Sequence, residues 1–210
     1  LDDDELGNME VVDFTSDISD LVEQVDISSK KKSCIDTVTK LVAEGKNVIV
    51  WCFFIASIIS ICDLLNSQGI KARYVMGSLT LDERLAVIKD YLNDEFDVLI
   101  TNPHTLAESV SLHTVCHDAV YFEYSYNLVH LLQSKDRIHR LGLPDGQYTQ
   151  YYYLQSVFAN NSKQSYSIGE EVYNRLKHKE EVMLKAIDNN ELEPVYTTEE
   201  DLAVIFARLF

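Results

Sequence analysis

The chain has 210 residues, and its 34 acidic against 18 basic groups leave a formal charge of −16 at neutral pH. That length suits one medium domain with an appendage, and an apolar share of 46% supplies a core. It excludes a membrane span, because the richest apolar stretch, 48–61, is too short, and no basic-then-apolar leader opens the chain.

Residues 1–28 read as an acidic linker or arm. Residues 1–29 hold ten carboxylates and no Lys or Arg. Leu1 is expected to be an internal residue of a longer protein. A helix is predicted from Ser29, with Ile35, Val38, Leu41 and Val42 as its apolar stripe and Gly45 as its stop. Asn47–Phe53 is a nearly continuous apolar run, as for a strand buried on both faces. Ile55, Ile58, Ile59, Cys62 and Leu65 form the next helix, which stops at Gly69, and Lys71–Met76 is the second strand. Thr80 to Glu83 is a capping box opening a helix with Leu81, Leu85, Ile88 and Leu92 on one side.

Further strands are predicted at Asp97–Thr101, Ala119–Phe122 and Thr149–Leu154, with a helix over Leu128–Ile138 between the last two. Ser167 to Glu170 is a second capping box, starting a long helix through Val172, Leu176, Met183 and Ile187. Pro194 ends it, and Thr198–Phe210 is a short closing helix. Strands alternating with helices argue for an α/β fold with a parallel sheet covered on both faces. Ligands of such sheets bind beyond the strands' carboxyl ends. Thr101 closes one strand and the run 133–140 lies one crossover later, so the geometry allows both to face one edge.

The near-neutral middle, 30–169, has 14 acidic and 13 basic groups, and residues 170–210 have ten and five. A local basic face is therefore open to the middle, while strong non-specific DNA binding by this chain alone is not expected. The four cysteines have neither CxxC nor zinc spacing. Reduced, buried thiols in a cytoplasmic protein are the expectation.

A chain that hydrolysed a nucleotide alone would need a phosphate-cradling loop. Gly45-Lys46, the only Gly-Lys, is followed by Asn47 and precedes a strand, so it is a helix stop. Asp94-Glu95-Phe96-Asp97 spells a metal-holding run but precedes its strand, as a solvated turn does. The six histidines lack metal-ligand spacing, and no metal is expected. Tyr151, Tyr152 and Tyr153 alternate faces in a strand, which favours sheet packing over base stacking. No G-x-S-x-G elbow is present.

The most informative run is Gln133 to Gly142. Gln133, Arg137 and Arg140 stand at i, i+4 and i+7, so one helix would present all three on one side. Two guanidiniums and an amide suit a polyphosphate. The plainer reading is a solvated face with an Asp136–Arg140 pair.

Gln133, Asp136, Arg137, His139, Arg140 and Gly142 resemble motif VI of superfamily-two helicases in its Swi/Snf-like form. Asp97–Thr101 with Ala107–Leu112 resembles motif V, and Asn47–Phe54 with Gly77 and Arg84 resembles motif IV and the stretch after it. Lys163–Lys179 is similar to the brace segment that follows the second lobe. The likeness implies a RecA-like second lobe over 29–160, a three-layer α/β/α unit, with a helical brace extension over 161–210.

It further implies that ATP and Mg2+ are held mainly by the N-terminal RecA-like lobe, which this sequence does not contain. Arg137 and Arg140 would be arginine fingers, with Gln133, Glu108 and Ser111 at the nucleotide. Thr101, Ser109, Phe53, Gly77 and Ser78 would lie at the backbone of double-stranded DNA. Ser109 stands where motif V usually has glycine, and Leu143-Pro144 replaces the common glutamine after motif VI. A helicase-like lobe converted to a protein-interaction module is the alternative that these departures keep open.

Overall fold

Among the described residues five parallel strands form the central sheet: β1 (Asn47–Trp51), β2 (Ala72–Val75), β3 (Val98–Thr101), β4 (Cys116–Tyr121) and β5 (Gln150–Tyr153), in the order β2-β3-β1-β4-β5. The computed structural model describes residues 27–106, 110–139, 143, 146–159, 165–189 and 197–206. Helix α1 (Ser29–Ala43) starts where the Ser28 hydroxyl accepts from Lys31 N at 3.3 Å. It ends before Gly45, whose φ of 76° lies in the left-handed region that glycine enters without strain. Helices α2 (Ile55–Ser67), α3 (Leu81–Leu92) and α4 (Leu128–Asp136) complete the sandwich.

The strands are buried on both faces, which is why their sequences read as apolar runs. Val48 and Val50 point into one core with Cys34, Ile35 and Val38 of α1 and Ile58, Ile61 and Leu65 of α2. Ile49 and Trp51 point into the other with Val87, Ile88 and Tyr91 of α3, Leu131 of α4, and Ile138. This is the three-layer α/β/α arrangement expected from the sequence. Tyr152 packs on the first face and Tyr151 and Tyr153 on the second, so the tyrosine run is sheet packing.

Beyond β5 comes a two-stranded antiparallel ribbon, β6 (Phe158–Ala159) with β7 (Ser165–Tyr166), which no sequence pattern announced. Helix α5 (Ile168–Asn189) follows, its first turn capped by Ser167, whose hydroxyl accepts from Glu170 N at 3.2 Å. Helix α6 (Thr198–Phe206) lies against α5.

Several expectations need correction. The stripe on α3 is turned: Ile88 is buried, but Leu81 and Leu85 are 62% and 47% exposed, and Val87 and Tyr91 take the inner positions. On α2, Ile55 and Ile59 are exposed and Ile61 is buried. β4 begins at Cys116, three residues before the predicted start. α4 ends at Asp136 and its cap is Arg137, so Ile138 lies beyond the helix, fully buried.

Candidate functional site

From β1 the chain crosses to β2 on one side of the sheet, and from β4 it crosses to β5 on the other. The crevice at the carboxyl ends of β1 and β4 is therefore the switch point at which parallel sheets bind ligands. Phe53 and Phe54 follow β1 there, and residues 123–127 follow β4. Together with Lys30, Ser156, Phe158 and Val172 they line an open cleft of about 460 Å3.

Glu123 organises this edge. One oxygen of its carboxylate accepts from the backbone N–H groups of Phe53 and Phe54, each at 3.0 Å, and the other accepts from the Ser57 hydroxyl at 2.7 Å. The carboxylate thus caps α2, whose own cap residue, Phe54, has no side-chain acceptor. Lys30 stands beside it with its ammonium 5.0 Å from the Phe122 ring centroid. Burial lowers the Lys30 pKa, and the negative charge of Glu123 opposes that shift.

Gly77 and Ser78 extend the same edge after β2, both exposed, and the Gly77 carbonyl accepts from Arg84 Nη2 at 2.8 Å. Of the residues expected at a nucleic-acid backbone, Phe53, Gly77 and Ser78 therefore share one edge. Thr101 does not join them on the surface. It is fully buried at the end of β3, and its hydroxyl donates to the Asn102 carbonyl at 3.3 Å.

The residues expected at the nucleotide lie elsewhere. Helix α4 starts at the carboxyl edge, where Asn127 Oδ1 accepts from Val129 N at 2.9 Å, and runs back along the sheet face. Nine residues span about 13 Å of helix. Gln133, half-buried, and Arg137 are consequently displaced from the edge toward the amino ends of the strands. The single edge that the sequence allowed for both segments is not what Gln133 and Arg137 adopt: they lie on the flank, apart from the residues at the edge.

The β3–β4 loop joins the patches. Near its start the His104 ring packs on His130 of α4, with centroids 3.9 Å apart. Near its end Leu112 N donates to the Arg137 carbonyl at 2.8 Å, and Arg137 Nη1 donates to the Val110 carbonyl at 3.2 Å. Arg137 is only 6% exposed. Between these contacts the Ser111 hydroxyl pairs with His113 Nδ1 at 2.5 Å. Because α4 stops at Asp136, the i, i+4, i+7 face does not continue as helix to residue 140. Glu108, Ser109 and Arg140 lie outside the described residues.

The acidic run 94–97 is a turn. Asp94 has φ 62° and accepts from Asn47 Nδ2 at 2.6 Å, while Asp97 accepts from Lys71 N at 3.3 Å. Among the described residues no group of three or more His, Cys, Asp or Glu is placed to hold a metal, and no helix is long and apolar enough to cross a membrane. All four cysteines are buried and free. Sequence reasoning missed Glu123, because a lone acid after an apolar strand carries no spacing signal toward Phe53 and Ser57.

The family model described as "Helicase conserved C-terminal domain" matches residues 30–142, more than half of the chain. No curated protein matches the sequence. Among solved structures, the C-terminal part of the Fun30 ATPase domain superposes with a TM-score of 0.59 at 18% identity, over 85% of this chain and 53% of that one. Domain 2 of the DEAD-box helicase Mss116p, bound to an RNA duplex, superposes with a TM-score of 0.51 at 14% identity, over 60% of this chain and 49% of that one. The fold is thus the RecA-like fold of helicase C-terminal lobes, and the chain spans about half the length of both structures.

Proposed function

Because the chain belongs to the helicase conserved C-terminal domain family, we propose that it is the second motor lobe of an ATP-dependent DNA translocase or helicase. In this reading ATP and Mg2+ are carried by an N-terminal RecA-like lobe of the same protein. Residues 29–160 form the lobe and 161–210 a brace-like extension. Arg137 and Arg140 approach the γ-phosphate when the lobes close, with Gln133, Glu108 and Ser111 around the nucleotide. Phe53, Gly77, Ser78 and Ser109 face the backbone of double-stranded DNA.

The observation that carries the proposal is the two-way junction of Arg137 with Val110 and Leu112. It joins the helix that bears the finger to the loop that leads from the carboxyl edge. A shift of the loop on DNA is thereby delivered to the guanidinium, and closure of the cleft is delivered to the loop. An arginine placed across a cleft stabilises charge on the transferring phosphoryl group only in the closed state, which ties hydrolysis to lobe motion. Contacts made to phosphate rather than bases make the motion insensitive to sequence.

The test is reconstitution. This chain alone lacks a phosphate loop and is expected to show no ATP turnover. The protein carrying both lobes is expected to hydrolyse ATP faster with duplex DNA than without. Robust turnover by the 210-residue chain alone would refute the division of labour.

A further inference from the structure

We propose that Lys179 is a positioning residue that carries the state of α6 to the motif VI helix. The inference rests on the motor reading above. The side chain of Lys179, on α5, has acceptors from two other parts of the chain. Its ammonium pairs with the Asp201 carboxylate of α6, and it donates to the Tyr126 carbonyl at 3.3 Å. It also lies 5.8 Å from the centroid of the Tyr126 ring.

Tyr126 immediately precedes Asn127, the cap of α4. Asn127 is fixed from three directions: its N–H donates to the Ser125 hydroxyl at 3.2 Å, its Oδ1 accepts from Val129 N, and its carbonyl accepts from Leu131 N at 3.3 Å. A pull on the Tyr126 carbonyl therefore acts on the first turn of the helix that carries Gln133 and is closed by Arg137. The far end of α4 is tied to α5 as well, through Lys135 and Glu180 at 3.5 Å. Helix α5 thus holds α4 at both ends.

Asp201 makes the arrangement more than incidental packing. It is 2% exposed and also accepts from Arg175 Nε at 2.7 Å. A buried carboxylate shared by two cations leaves uncompensated charge if any member moves. Helix α6 is latched separately by the Tyr166 hydroxyl, which donates to the Ile205 carbonyl at 2.7 Å. Displacement of α6 removes Asp201 from Lys179 and frees the ammonium to leave Tyr126. The extension then sets how well the α4 cap is formed, and through it the aim of Arg137.

Lys179→Met keeps the apolar stem over Tyr126 and removes the ammonium, and Lys179→Arg restores a cation. Hydrogen exchange in the full 210-residue chain reads the cap directly. Lys179→Met is expected to speed exchange of the Val129 and Leu131 amides about tenfold, leave β1 and β4 amides unchanged, and be rescued by Lys179→Arg. In the two-lobe protein with duplex DNA, Lys179→Met is expected to lower kcat about tenfold with KM for ATP near wild type, within the usual span of coupling between sites. A residue that only braced the fold would lower Tm and leave cap exchange and kcat of the folded molecules unchanged. Wild-type exchange at Val129 and Leu131, or faster exchange with unaltered kcat, overturns the inference. Absence of DNA-stimulated hydrolysis in the unmodified two-lobe protein overturns the motor reading instead, and the exchange result then decides whether Lys179 holds the α4 cap.

Discussion

Leu112 N donates to the Arg137 carbonyl at 2.8 Å, so the residue that closes α4 is also an anchor for the β3–β4 loop. Leu112 is fully buried at this junction, in the same core as Ile138 and Leu131. Truncating it opens a cavity under the loop. Leu112→Ala is expected to cost about 2–5 kcal/mol, the range for buried leucines. Urea unfolding of the 210-residue chain measures this, and a loss under about 1 kcal/mol would show that the loop is not anchored there.

Glu123 supplies a charged acceptor to two backbone N–H groups and a hydroxyl. Glu123→Gln keeps the shape, loses the charge and turns one accepting end into a donor facing donors. The expected cost is about 1–3 kcal/mol, that of a cap bond and a donor left unsatisfied. Denaturant midpoints of the two chains should separate accordingly, with amide exchange rising at Phe53 and Phe54. Equal midpoints would remove Glu123 from the role of α2 cap.

The buried thiols fix a pH dependence. Burial raises Cys34 from 9.0 to about 12 and Cys62 and Cys116 from 9.0 to about 11, and pushes Cys52 up as well. In the unfolded chain these thiols release protons near pH 9, whereas the folded chain keeps them. The folded state then binds more protons, so stability falls as pH rises. Their contribution is complete below pH 9 and is lost between pH 9 and about 12. Unfolding free energies at pH 8, 9, 10 and 11 should decline in order. Iodoacetamide at pH 8 should label the native chain far more slowly than the urea-unfolded one.

Much of this architecture was legible because local physics and tertiary structure agreed. The apolar runs at 48–51 and 98–100 are strands buried on both faces, and the Thr80–Glu83 capping box is present in both of its bonds. The glycine stops at Gly45 and Gly69 have φ of 76° and 82°. What misled was facing. Leu81 and Leu85 have helical spacing, yet Val87 and Tyr91 turn inward beside Ile88 because α3 packs against β2 at a rotation that periodicity alone does not give. Motif VI was legible as a pattern of residue types, but the end of α4 at Asp136 was not, since Arg137 and Ile138 are themselves good helix formers or tolerated in helices. Ile138 leaves the helix to fill the second core. Lys179 stood in the brace-like segment, but its pairing with Asp201 and Tyr126, like that of Glu123 with Phe53 and Ser57, was not legible because those partners lie in other elements of the chain.

Single-turnover ATP hydrolysis by the two-lobe protein on duplex DNA, with Arg137→Ala and Arg137→Lys beside wild type, tests the finger assignment most directly. Lys keeps the charge and a donor toward Val110 but lacks the planar fork that grips phosphate. The account predicts a fall of about 10³-fold or more for Ala, a large fall for Lys, and ATP affinity near wild type for both. Hydrolysis at the wild-type rate in a folded Arg137→Ala protein would contradict it.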